Sequence, residues 1–121
     1  MSNLKYSNFS ADNRLEVMSQ NTYSGGVRVD PLPITAGQEI TVFYSGMLND
    51  SGADQVYLHT GYGQSDQWNS VNDHRMEKVG WGWAKVIPVE QSGNLHLCFH
   101  DSAQNWDNNA GVNWTFQVHN G

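Results

Sequence analysis

Hydrophobic and polar residues alternate along much of the chain with a period of two, and clusters of Gly, Asn, Asp and Pro interrupt the alternation. Because successive side chains of a β-strand point to opposite faces, this period indicates strands, and no window has a convincing helical period. The predicted strands are Arg14–Met18, Val27–Leu32, Glu39–Tyr44, Gln55–Thr60, Trp83–Val89, Asn94–His100 and Val112–His119. We therefore expect an all-β fold, an antiparallel β-sandwich of immunoglobulin-like type with about seven to nine strands.

Two long polar connections in this pattern each hold one tryptophan. Trp68 falls in the connection Gly61–Asp73, and Trp106 falls in Asp101–Gly111. Long connections in a compact domain are usually functional or disordered, so these two are the first candidates for a site. The remaining connections are Asn21–Gly26, Thr35–Gln38, Ser45–Asp54 and Gln91–Gly93.

Trp106 is the more informative of the two tryptophans. It lies in the run Asn-Trp-Asp-Asn-Asn at residues 105–109, whose other members favour turns and bond to their own backbone. A short polar loop offers little apolar cover for an indole, so an exposed ring beside amide groups would suit a sugar ring. The alternative is a Trp that folds back as a lid over the core. We expect Asp107 to fix the loop by an Asx-type bond rather than to contact a ligand.

The length of 121 residues fits one domain with one core. We expect residues 1–12 to be loosely ordered, because they are polar, and residues 13–121 to form a single domain. Twelve acidic and six basic residues give a net charge of -6. This charge argues against nucleic acid and against anionic membranes as partners, since phosphate binding needs clustered Lys and Arg. No stretch approaches the ~18 apolar residues of a membrane span.

The N-terminus also lacks the apolar core of a signal peptide. The expected location is therefore the cytoplasm if the chain is complete, or the extracellular space if it was excised from a secreted enzyme. The single cysteine, Cys98, excludes an internal disulfide.

Several segments, taken in order, resemble a known family. They are Val56-Tyr57-Leu58-His59-Thr60-Gly61-Tyr62-Gly63, then Trp68, Met76-Glu77-Lys78, Trp83–Val89, Phe99-His100-Asp101, the run at 105–109, and Gly111-Val112-Asn113-Trp114. From about Val29 to Val118 their order is similar to that of the starch-binding carbohydrate-binding modules of family 25 and its relative, family 53. The resemblance implies a β-sandwich that binds α-1,4-glucans (starch, glycogen and maltooligosaccharides) without catalysis. It also implies a module attached to or associated with a glycan-active enzyme.

The resemblance also implies a set of carbohydrate-binding residues. Its platform consists of His59, Trp68 and Trp106, with hydrogen bonds from Asn108 and Asn109, and Tyr62 is added as a candidate. Tyr62 lies in a segment flanked by glycines, where it would either hydrogen-bond sugar or cap the core. For His59 the alternative is an ordinary strand histidine, because it alternates with the apolar residues of its strand.

His96, Cys98 and His100 share one face of a predicted strand, which raises the question of a metal site. Neighbouring members would be ~7 Å apart, which allows pairwise chelation, but the outer two would be ~13 Å apart, beyond the reach of one ion. We therefore expect no metal and no cofactor, with these three residues on a partly exposed sheet. A structural calcium held by loop carbonyls and Asp side chains is the remaining option, although no EF-hand-like spacing supports it.

Two other classes of function compete with sugar binding. A small glycoside hydrolase would need two facing carboxylates, for which the loop acids are Asp66, Asp73, Glu77, Asp101 and Asp107. None of them lies in a motif that would raise its pKa, and the chain has neither a nucleophile elbow nor a phosphate-binding Gly loop. A protein-interaction β-sandwich would use the same exposed Trp rings as hot spots. The expected partner remains an α-glucan polysaccharide or oligosaccharide, and no catalysis is expected.

Overall fold

The computed structural model describes residues 22, 23 and 25–121, which form eleven strands and one short helix. The predicted strand Arg14–Met18 and the segment 1–12 lie outside the described residues. In chain order the elements are β1 (Thr22–Tyr23), β2 (Val27–Asp30), β3 (Ile34–Thr35), β4 (Glu39–Tyr44), α1 (Met47–Asp50), β5 (Val56–Gln64), β6 (Gln67–Arg75), β7 (Glu77–Val79), β8 (Gly82–Pro88), β9 (Gly93–Asp101), β10 (Trp106–Asp107) and β11 (Trp114–His119). Within this described part, no helix has the length and apolar character needed to cross a lipid bilayer.

The strands form two sheets. The first sheet has the order β1-β2-β4-β8-β7, and the second has the order β3-β11-β9-β5-β6, with β10 paired to β9. Every described pair is antiparallel except β3 with β11, which is parallel. The order β2-β4-β8-β7 in one sheet and β11-β9-β5 in the other is that of the A-B-E-D and G-F-C sheets of an immunoglobulin sandwich. The predicted all-β sandwich is confirmed.

One core lies between the two sheets, built from the inward-pointing residues of each strand. In the first sheet, β4 buries Ile40, Val42 and Tyr44, and in the second sheet β9 contributes Leu95 and Leu97. Burial of one such aliphatic side chain stabilises the fold by about 1.5–3 kcal/mol relative to an exposed position. The alternation that predicted these strands is therefore also the source of their stability.

The connection predicted over Gly61–Asp73 is a β-hairpin instead. Strand β5 continues to Gln64, and after a two-residue turn β6 begins at Gln67 and pairs back along β5. Because β6 is an edge strand with mostly exposed side chains, it lacks the apolar alternation that marks a half-buried strand. Trp68 therefore lies on a strand beside β5 and not in a long loop.

Tyr44 ties the second long connection, Asp101–Gly111, to the core. Its ring leaves β4 of the first sheet and stacks on Phe99 of the second, with ring centroids 4.1 Å apart. Its hydroxyl donates a hydrogen bond to Asp107 Oδ2 in β10 at 2.5 Å and accepts one from the backbone N–H of Leu48 in α1 at 2.9 Å. Burial, together with the bond to Asp107, raises the pKa of Tyr44 above its ordinary value, so the phenol remains a donor.

We expect Tyr44→Phe to lower the free energy of unfolding by about 1–3 kcal/mol, because it leaves a buried carboxylate and a buried N–H without their partner. The matched control is Tyr62→Phe. Tyr62 is also buried, but its hydroxyl accepts one hydrogen bond, from the backbone N–H of Glu90 at 3.1 Å. Urea unfolding followed by circular dichroism measures both variants. A loss for Tyr44→Phe that is no larger than that for Tyr62→Phe would contradict the role of the Tyr44–Asp107 bond.

Candidate functional site

The outer face of the second sheet carries the polar residues of β9. They are His96, Cys98 and His100, and His59 of β5 lies opposite Cys98. The expectation that the three β9 residues are partly exposed is wrong, because His96 is 1%, Cys98 4% and His100 7% exposed. Indole rings from β6 and β10 lie over this face and exclude solvent from it.

The first indole ring, Trp68 of β6, lies flat on His96. Their ring centroids are 5.0 Å apart and their planes 16° apart, and the ring N–H of Trp68 donates to the carbonyl of Ser65 at 3.0 Å. His96 is itself fixed, because its Nε2–H donates to the carbonyl of Gly63 at 2.6 Å and its Nδ1 lies 2.9 Å from Thr115 Oγ1. The indole therefore rests on a hydrogen-bonded floor.

Gly61 of β5 makes room for this ring. A side chain at position 61 would place its Cβ 2.5 Å from Trp68 Cε3 and 2.9 Å from Trp68 Cβ. Real Cβ atoms do not approach other heavy atoms so closely. Only glycine lets the indole lie this close to the sheet.

The second indole ring, Trp106 of β10, is 43% exposed. Its ring lies against that of His100, with centroids 4.4 Å apart and planes 36° apart. Strand β10 is short but pairs with β9, where Trp106 lies opposite His100. The ring is therefore held by a strand pair and not by the loop alone. Because it lies on the outer face of the sheet, Trp106 does not fold back as a lid over the core.

Two buried aspartates fix the chain on either side of this second indole. Asp101 accepts hydrogen bonds from the side chain and backbone of Asn105 and from the backbone of Ala103, and these bonds lower the pKa of Asp101. Asp107 is bonded to Tyr44 as described above, and the expected Asx-type bond to the backbone N–H of Asn109 is present at 3.5 Å. The Asx-type bond is long, so the phenol is the stronger partner of Asp107.

His59 of β5 lies between the two indole rings. Its ring centroid is 5.7 Å from that of Trp68, with planes 32° apart, and 5.2 Å from that of Trp106, with planes 90° apart. The two indole planes therefore meet at no less than about 58°, which is 90° less 32°. The rings form an angled platform and not one flat surface.

His59 and His100 share an acidic partner, Asp73 of β6. His59 Nδ1 is 2.6 Å and His100 Nε2 is 3.2 Å from Asp73 Oδ1, so both rings lie within hydrogen-bond distance of the same carboxylate oxygen. Partial burial by itself would raise the pKa of Asp73, but the two hydrogen bonds and the histidines' charge outweigh it and lower the pKa below its ordinary value. An ionised Asp73 thus orients both imidazole rings.

An open groove lies between the two indole rings. The residues that line it are His59, Ser65, Asp66, Trp68, Val71, Cys98, Trp106, Asn108 and Asn113. Four of the six residues predicted for the site are thus brought together, namely His59, Trp68, Trp106 and Asn108. The Cys98 thiol is chemically quiet, because burial, reinforced by nearby carboxylates, raises its pKa to about 12.

The other two predicted site residues are not in the groove. Tyr62 is 5% exposed and lies in the core, because it points from the opposite face of β5. The side-chain amide of Asn109 donates to the backbone carbonyl of Asn113 at 3.0 Å, so Asn109 shapes the loop. Asn113 lines the groove in its place.

Sequence reasoning gave no binding role to Asp73 or to Asn113. Asp73 lies opposite His59 in the β5–β6 pair, so a correct prediction of the hairpin would have found it. Asn113 has a φ of 65°, in the left-handed region that Asn tolerates better than most residues. Its sequence context gave no sign that it would reach the groove.

The fold defines a class of protein, the two-sheet β-sandwich, here with two indole rings over the outer face of one sheet. Within that class, a family model described as starch/carbohydrate-binding module (family 53) matches residues 40–99, just under half of the chain. The resemblance to family 53 is confirmed for this segment, which contains His59 and Trp68, whereas the resemblance to family 25 stays a prediction. No curated protein and no solved structure matches the chain.

We expect Gly61→Ala to push the Trp68 ring off His96, because the added methyl group would overlap the indole. Such overpacking should cost about 1–3 kcal/mol of stability. Tryptophan fluorescence and the near-ultraviolet circular dichroism of the aromatic residues should both change. Gly80→Ala is the matched control, because a Cβ there meets nothing within 4 Å. Equal spectra for wild type and Gly61→Ala would show that the indole does not need this glycine.

Proposed function

We propose that the protein binds α-1,4-glucans without catalysis, in the groove between Trp68 and Trp106. The observation that carries the proposal is the angle between the two indole planes, no less than about 58° (90° less 32°). Two rings at an angle match the curve of an α-1,4-linked chain, whereas coplanar rings would match a flat chain such as cellulose. The family match supports the same class of ligand.

A glucose residue has an apolar face and a polar rim, which explains why an indole ring would hold it. Each sugar ring has a patch of axial C–H groups that packs on an aromatic face. One stacked ring that covers ~50 Å² of apolar surface contributes about 1 kcal/mol. The hydroxyl groups around the rim need directional partners, and Asn108, Asn113, Ser65 and Asp66 line the groove with donors and acceptors. Of the two asparagines expected to bind, Asn108 keeps that proposed role.

The platform is fixed before any ligand arrives, which favours binding. Trp68 rests on His96, and the chain around Trp106 is held by Asp101 and Asp107. Little side-chain freedom remains to be lost on docking. An open groove with two stacking rings and a few hydrogen bonds nevertheless gives modest affinity, with a dissociation constant of about 10 μM to 1 mM. Several modules, or several sites on one polymer, would raise the apparent affinity.

Three carboxylates near the groove have structural partners, which favours binding over hydrolysis. Asp73 lies within hydrogen-bond distance of two histidines, and Asp101 and Asp107 hold the loop. A glycoside hydrolase needs a carboxyl group whose raised pKa lets it donate a proton. The pKa values of Asp73 and Asp101 are lowered instead. We therefore propose a module that keeps an attached or associated glycan-active enzyme near its polymer.

Pull-down on insoluble starch tests the proposed function. We expect the protein to be retained and then released by free maltoheptaose, because both ligands present the same curved chain. Insoluble cellulose is the control, on which no retention is expected. Lack of retention on starch would contradict the glucan proposal, and so would retention that free maltoheptaose does not reduce. Release of reducing sugar from the starch would point to a hydrolase instead.

Removal of one indole ring should weaken binding of maltoheptaose about fivefold, the equivalent of about 1 kcal/mol. We expect this loss for Trp106→Ala and for Trp68→Ala in isothermal titration calorimetry. Trp81→Ala is the matched control, because Trp81 packs against Phe43 of the first sheet, with ring centroids 5.3 Å apart. Its affinity should equal that of the wild type. A loss of less than about twofold for Trp106→Ala would refute the platform.

A further inference from the structure

Three side chains from three neighbouring strands converge beside the groove. One ring nitrogen each of His59 and His100 and one carboxylate oxygen of Asp73 lie within 4.8 Å of one another. Strand pairing sets their positions. Asp73 of β6 and Cys98 of β9 both lie opposite His59 of β5, and His100 follows Cys98 by two residues. We call these three residues the His-Asp-His cluster.

The hydrogen bonds of His100 leave a place for a cation in this cluster. Its Nδ1 lies 3.2 Å from the backbone carbonyl of Asp101, and its Nε2 lies 3.2 Å from Asp73 Oδ1. Both partners are acceptors. When a neutral His100 donates Nδ1–H to the carbonyl, the lone pair of Nε2 faces a carboxylate oxygen. In that tautomer a metal ion between Nε2 and Asp73 Oδ1 makes the contact favourable, whereas in the other tautomer Nε2–H donates to Asp73 directly.

We propose that the His-Asp-His cluster binds a divalent transition-metal ion of the Zn²⁺ type. Imidazole nitrogen and carboxylate oxygen are ligands of zinc at about 2.0–2.2 Å, and ligands of a tetrahedral ion at that distance lie about 3.3 Å from one another. The present contacts of Asp73 Oδ1 are both shorter than that spacing, with 3.2 Å to His100 close to it and 2.6 Å to His59 further below it. The Asp73 side chain is 50% exposed and can make the small adjustment.

The surroundings of His100 support its role as a metal ligand. A histidine that binds a metal through one nitrogen usually donates the other N–H to a carbonyl or carboxylate, and the Asp101 carbonyl lies 3.2 Å from His100 Nδ1, where it can accept such a bond. His96 is different, because both of its nitrogens are already engaged by Gly63 and Thr115. Nitrogen ligands favour zinc and similar ions over calcium, which takes oxygen ligands. The proposed metal ligands therefore come from three neighbouring strands, whereas the set considered from the sequence came from β9 alone.

Three protein ligands leave a fourth position of a tetrahedral ion open. Because His59 lines the groove, that position adjoins the surface on which sugar is proposed to bind. Water would occupy it in the absence of sugar. The metal proposal does not rest on glucan binding, since ion and sugar can be tested in separate titrations.

Titration of the chelator-treated protein with Zn²⁺ alone tests the proposal by isothermal calorimetry. We expect one ion per chain. Asp73→Asn keeps the shape of the side chain but removes its charge, and it should weaken Zn²⁺ binding at least about tenfold, because even outer partners of a metal site are worth 10–100-fold. Co²⁺ in place of Zn²⁺ should give visible ligand-field absorption in the wild type that Asp73→Asn reduces.

His119→Gln is the matched control, because His119 is an exposed histidine of β11 outside the cluster. Its Zn²⁺ affinity should equal that of the wild type, and circular dichroism should show that both variants are folded. The lack of saturable Zn²⁺ binding would overturn the proposal. Unchanged affinity in Asp73→Asn, or an equal loss in His119→Gln, would overturn it as well.

Discussion

The hydrogen bond between Tyr44 and Asp107 is the constraint on which the site depends. A buried carboxylate is costly unless it is hydrogen-bonded, and Asp107 obtains its short bond from a phenol that the core already holds against Phe99. Because neighbouring residues of a strand face opposite sides, an inward Asp107 turns Trp106 outward. The place of one indole ring is thus decided by core packing, through a residue that need not touch a ligand.

The platform has two layers, with indole rings above and histidines below. An apolar floor would hold the indoles equally well by contact area, but it could not fix their direction. A histidine offers a flat face for stacking and two ring nitrogens that bond sideways, as His96 does to Gly63 and Thr115. The histidine layer is therefore both buried and hydrogen-bonded, which is the condition under which buried polar groups stabilise a structure. Because Trp68 stacks on the fixed ring of His96, the position of the indole is restricted as well.

The alternation of residues predicts the middle of the sandwich better than its edges. The strand Glu39–Tyr44 is predicted and observed with the same bounds, because its buried residues alternate with more exposed ones. Strand β6 was missed, since an edge strand with exposed faces needs no apolar residues. The family resemblance named His59 and both indoles, and these three side chains line one groove. The partners Asp73 and His100 follow only from the register between strands, which the period of a single sequence does not contain.

His59 belongs both to the groove and to the His-Asp-His cluster, so the two proposed ligands would be coupled through it. An ion on Nδ1 of His59 would take a place between this nitrogen and Asp73 Oδ1, which are 2.6 Å apart. Such an ion would change the charge beside the groove and would add an open metal position there. Linkage then makes the coupling reciprocal, because the factor by which the ion changes glucan affinity is the factor by which glucan changes ion affinity.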